Sequence, residues 1–93
     1  MSAATLLLAA FRARLGELAE TGYRAERWHS ATFAGVRHIF TLEAGSGQDI
    51  PAFARDIAED DIAVPGGFVA DIIVSPCATD PRRVEISALT IEA

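Results

Sequence analysis

His38 is the residue of this 93-residue chain best placed for acid-base chemistry. Imidazole is the side chain whose unperturbed pKa lies closest to neutrality. It stands in the run "VRHIFTLE", where the alternation marks Val36, Phe40 and Leu42 as one buried side and carries His38 with them. In the hairpin register expected around it, Ser30 lies opposite. A partly buried imidazole beside a hydroxyl is the minimal arrangement of a general base, so His38 and Ser30 are the candidate catalytic residues. The same placement also describes a core histidine with satisfied hydrogen bonds. Asp71 falls on the other side of its own strand, so no Ser-His-Asp set assembles. Trp28, expected inward on the same face, would wall a pocket with His38, and the two are candidates for ligand binding. Arg82 and Arg83 in the loop "CATDPRR" are the other candidates, able to hold a small anion or to lower the pKa of Cys77.

Other patterns carry less chemistry. Asp56, Glu59 and Asp60 share a helical face with Asp61 following, a spacing that suits a hard cation. Acids at a helix end are more often solvated surface, and no His-x-x-x-His or His-carboxylate spacing occurs. No metal and no cofactor are expected. Gly66-Gly67 precedes a strand rather than a helix and no Lys exists in the chain, so the pair reads as a hinge and not a phosphate loop. Gly45-Ser46-Gly47 does lie between strand and helix. The dinucleotide fingerprint would require Gly at position 50, where Ile50 stands, and Asp49 repels an anion.

Composition bounds the partners. Eight Arg oppose 13 acids, for a formal charge of -5 and a pI of about 4.8. Non-specific binding of nucleic acid needs several cations on one face, so no nucleic-acid partner is expected. Cys77 is alone and fits a reducing compartment. The stretch "AATLLLAAF" has no positive region ahead of it, no small-x-small cleavage site behind it, and too few residues to span a bilayer. A cytoplasmic protein with no membrane partner is the expectation. A hydrophobic share of 51% with 23% charged residues describes one globular domain over residues 1–93.

The elements follow from periodicity. Leu8, Phe11, Leu15 and Leu18 recur at helical spacing, which predicts a helix from Ser2 as N-cap to about Thr21, with Gly22 as its stop. Strands are predicted over Arg24–Thr32 and Val36–Ala44, joined by a three-residue loop with Gly35 in the left-handed position. That register faces Trp28 against Phe40. "IPAFARDIAED" is a second helix capped by Asp49, with Ile50, Phe53 and Ile57 on one stripe, ending near Ala58 or Glu59. Residues 68–75 and Val84–Glu92 are the last strands. The order αββαββ predicts an α+β, two-layer sandwich: a four-stranded antiparallel sheet with two helices on one face. A right-handed crossover gives the strand order three-four-two-one, a permuted ferredoxin-like topology.

That arrangement leaves an uncovered sheet face bearing Ile39, Val69, Ile73, Leu89 and Ile91. Five large aliphatics on a face turned to water mark an interface, and a homodimer is the economical way to cover them. The alternative is a bulge near Ala88 that turns Leu89 and Ile91 into the core, although Val69 and Ile73 need no bulge to face outward. The functional expectation is a small non-catalytic binding or assembly module acting as a homodimer, with a small-molecule or protein partner. The alternative is a small enzyme with a pocket between helices and sheet around His38.

Overall fold

Ser2 starts the first helix as its residue type suggests: the Ser2 Oγ accepts from the Thr5 amide at 3.2 Å. In the computed structural model, which describes residues 2–45 and 47–92, this helix, α1, spans Ala3–Leu15. It stops at Gly16, not Gly22. Gly16 adopts φ +78°, a conformation that side chains disfavour, and its N–H returns to the Arg12 carbonyl. Released six residues earlier than the periodicity suggests, the chain enters β1 at Leu18–His29, which pairs antiparallel with β2 at Ala34–Ala44. Leu18, which continues the apolar spacing of the helix, is instead buried in the sheet opposite Ala44.

The loop between these strands holds four residues, 30–33, rather than three. Ser30 builds it: its Oγ accepts from the Phe33 and Thr32 amides at 3.0 and 3.3 Å, and its N–H donates to the Phe33 carbonyl. Gly35 is not at the turn. It sits inside β2 with no positive φ, and a Cβ there would overlap the Thr90 carbonyl. The change in loop alters the pairing by an odd number of residues and so reverses the faces of β1. Trp28 pairs with Gly35 and lies on the face away from the helices, while Tyr23 takes the position opposite Phe40.

The second helix, α2, spans Ile50–Glu59 with Asp49 as its cap, the Asp49 Oδ1 accepting from the Ala52 amide at 3.0 Å. A two-residue strand β3 (Ala63–Val64) turns through Pro65-Gly66 into β4 (Gly67–Pro76), and β5 (Arg83–Glu92) follows. The sheet is therefore a curled, five-stranded antiparallel one ordered β1-β2-β5-β4-β3, not four-stranded. Its four long strands keep the expected order, and β3 adds a short edge. Among the described residues no helix is long and apolar enough to cross a membrane.

Both helices pack on one face. Leu7, Phe11 and Leu15 of α1 and Ile50, Phe53 and Ile57 of α2 meet Phe40, Leu42, Val84, Ile86 and Ala88. Phe11 lies at the centre, edge-on to Phe40 at 5.3 Å and to Phe53 at 6.3 Å between ring centroids, a geometry aromatic rings favour. Arg14 and Asp60 form an ion pair joining the ends of the two helices. Its carboxyl is held below, and its guanidinium above, the ordinary value, mainly by the hydrogen bond they share.

β5 carries no bulge: its register against β2 runs unbroken from Arg83 to Ile91. The irregularity is in β4, between Val69 and Asp71. Past it Ile72 and Val74 point to the helices as expected. Before it the phase is opposite, so Val69 packs on the helix-side core and Phe68 turns out, 48% exposed. Those two residues exchange the faces that simple alternation assigns them.

Candidate functional site

The sheet face away from the helices is built in cross-strand rows. One row runs Trp28, Gly35, Ile91, Phe68; the next Glu26, Arg37, Leu89, Asp71; the third Arg24, Ile39, Ser87, Ile73. The fourth, Thr41, Glu85 and Ser75, is polar. Ile39, Leu89 and Ile91 are buried, the last two at 5% exposure, although no helix covers them. Their neighbours shield them. Leu89 lies directly between Arg37 and Asp71, and the pair closes over it with Arg37 Nη1 3.6 Å from Asp71 Oδ1. Arg37 also donates to Ser87 Oγ at 2.8 Å, which fixes the guanidinium across the face. Ile91 leans toward the space left by the absent side chain of Gly35.

Phe68 and Ile73 border this group and stay about half exposed, at 48% and 52%. Of the five aliphatics expected on this face, Ile39, Ile73, Leu89 and Ile91 stand there. Val69 stands on the other, and Phe68 and Trp28 take part in its place. Phe68 was hidden from simple alternation by the bulge, and Trp28 by the loop length. A Gly-containing strand start at Gly67, with only Phe68, Val69 and Ala70 between it and Asp71, is the only sequence signal for an irregular β4.

On the helix side His38 is buried and held at both nitrogens. Tyr23 Oη lies 2.7 Å from Nδ1 and Thr90 Oγ1 lies 3.2 Å from Nε2. Thr90 in turn donates to the Val36 carbonyl at 3.3 Å. One consistent assignment runs through the chain: Tyr23 donates to Nδ1, Nε2–H donates to Thr90, and the imidazole is neutral. Burial lowers the His38 pKa from its ordinary value, in keeping with that state. Burial, helped by Glu20, raises the Tyr23 phenol. Tyr23 also stacks on the imidazole, with ring centroids 6.1 Å apart.

His38 lines a cleft of about 190 Å³ between the start of α1 and the Pro65-Gly66 turn. Ser30 does not reach it: Ala25 pairs with His38, and the Ser30 hydroxyl is engaged in its own loop. Trp28 is on the opposite face. Nucleophile, base and aromatic wall are thus not brought together.

Arg82 and Arg83 diverge. Arg82 borders a groove of about 360 Å³ beside Gly45 and Ile50, with Glu43 at 3.8 Å. Arg83 borders a separate cleft with Cys77. The Cys77 thiol sits 3.3 Å from the Thr79 hydroxyl, which with backbone amides and Arg83 lowers its pKa. Among the described residues no three of His, Cys, Asp and Glu gather as a metal site. Ser46, in the Gly45–Gly47 stretch, lies outside the described residues.

Comparison with protein-family models, curated proteins and solved structures finds no match to this chain.

Proposed function

We propose that this chain is a small non-catalytic binding or assembly module acting as a homodimer, with the second copy seated on the outer sheet face. One observation carries the reading: Phe68 and Ile73, both on β4, stand half exposed along one border of a closed group formed by Ile39, Leu89 and Ile91. Full burial of a large apolar side chain contributes roughly 1.5–3 kcal/mol, and these two realise only part of it in the single chain. A two-fold contact uses each twice. The Arg37–Asp71 pair at the centre of the face supplies a fixed charge pattern, which favours one orientation of the partner. The order of the four long strands supports the permuted ferredoxin-like arrangement, and the unpaired Cys77 suits a reducing, cytoplasmic setting.

The alternative, a small enzyme working at the His38 cleft, draws its support from a neutral imidazole beside a 190 Å³ space. Both nitrogens are already engaged within the chain, which favours the module.

Ile73→Asp tests the face. It would place a carboxylate in an apolar contact without a partner, so the variant is expected to form a smaller assembly than the unmodified protein by light scattering at tens of micromolar, about where a modest interface is populated. An unmodified protein that is monomeric there, or a dimer indifferent to Ile73→Asp, overturns the proposal.

A further inference from the structure

We propose that β1 is a self-recognition edge: two copies pair their β1 strands antiparallel about a two-fold axis at Ala25, joining two sheets into one. The inference extends the self-association proposed above to a second surface, and it stands or falls separately from the outer face.

The sheet has two edges. One is β3, two residues long and a poor template; the other is β1, twelve residues long and hydrogen-bonded on one side only. Edge strands in soluble proteins are usually protected by bulges, prolines or charges that repel a second copy. β1 has a register shift between Glu20 and Gly22, and from Gly22 to Trp28 it is regular. Its residues from Ala19 to Arg27 are exposed, Gly22 excepted.

In a two-fold antiparallel pair, directly opposed side chains point to the same side, so the axis must pass through a residue. Centring on Arg24, Glu26 or Arg27 would set a charge against its own copy. Centring on Tyr23 would overlap only three regular residues. Centring on Ala25 overlaps all seven. Arg24 then faces Glu26 of the second copy, twice by symmetry. Tyr23 faces Arg27, a cation over a phenol ring. Trp28 lies across Gly22, where no side chain blocks the indole and the glycine gains the cover it lacks. Arg24 Nε and Glu26 Oε1 are already 3.1 Å apart within one copy, on one face and aimed along the edge. Opposite charges and aromatic pairs at directly opposed positions are the contacts that stabilise antiparallel pairing. The axis stands perpendicular to the sheet, so both outer faces remain on the same side and open to the contact proposed above.

Site-specific oxidation separates the two surfaces. In a Cys77→Ser background, Ala25→Cys is expected to give a covalent dimer of twice 9.9 kDa on mild oxidation, while Ala58→Cys on exposed α2 gives none. Ile73→Cys in the same background reports the outer face. A cross-link at position 25 supports the edge whatever position 73 gives; its absence at 25 removes the edge. Charge reversal gives a second reading that needs no cysteine. Arg24→Glu or Glu26→Arg alone should weaken the edge contact at least tenfold, and the double exchange should restore it. Single reversals that leave the association constant unchanged, or a double exchange that fails to recover it, overturn the proposal.

Discussion

The two faces of one sheet bury apolar residues by different means. On the helix side, Phe40, Leu42, Val84, Ile86 and Ala88 are sealed by two helices, and Phe11 fills the middle of the contact. On the outer side, Leu89 reaches 5% exposure with no second layer, because an ion pair from the strands on either side closes above it. The first is cover by hydrocarbon, the second cover by charge standing over hydrocarbon. Close packing requires a partner element of matching shape. A salt bridge across a row requires only the right register. The outer face can therefore bury Ile39, Leu89 and Ile91 in a single chain and still present Phe68 and Ile73 to another.

The difference has a measurable size. Phe40→Ala removes a ring touching Phe11 and Tyr23, and is expected to cost about 3–5 kcal/mol in urea unfolding. That approaches the whole stability of a small domain. Leu89→Ala, at the corresponding depth on the outer face, should cost about 2–3 kcal/mol, the low end for leucine, since the Arg37–Asp71 pair can settle into the space. A loss as large as that of Phe40 would show the outer face to be packed like the core. The smallest effect concerns His38→Phe, which keeps volume and removes a titrating group. Tyr23 is exposed enough to bond water and Thr90 keeps the Val36 carbonyl, so about 1 kcal/mol or less is expected at pH 7.

The sign of its pH dependence follows from burial. With the folded pKa of His38 lowered, the unfolded chain binds more protons as pH falls below about 6.5. The His38 contribution is therefore complete above that value and declines as the pH falls below it. Equilibrium unfolding of the Phe variant should lose that part of the slope, and an unchanged slope would contradict a buried neutral imidazole.

Helix caps were legible in the sequence because their chemistry is local. Ser2 and Asp49 each satisfy an amide three residues on, and Ile50, Phe53 and Ile57 fall into the core from spacing alone. The strand order was legible too, since short connections and handedness leave few alternatives. What spacing could not give was parity. Gly35 has the residue type of a turn, yet its use is close approach to β5, a fact that depends on a strand fifty residues away. The same holds for the bulge in β4, which falls between Val69 and Asp71 only because Thr90 and Leu89 of β5 are there to be paired. Each odd shift of register moved a set of side chains through the sheet. Trp28, Phe68 and Val69 changed faces for that reason, and the candidate pocket around His38 lost its aromatic wall.

Gly35 and Gly67 share one role whose consequence lies in time rather than space. Both lack side chains where the backbone of residues 90–92 passes, one on each side, so β5 occupies a slot between strands supplied much earlier in the chain. During vectorial synthesis the ribosome delivers β2 and β4 first, and they are not neighbours. Until residues 83–92 emerge, the sheet is two separate pieces, β1-β2 and β3-β4, with their inner edges open and the aliphatics of both faces wet. Of the five strands the keystone arrives last. Folding is thus postponed to the moment this strand leaves the exit tunnel, and a nascent chain stalled before it would offer other chains two ready templates for pairing.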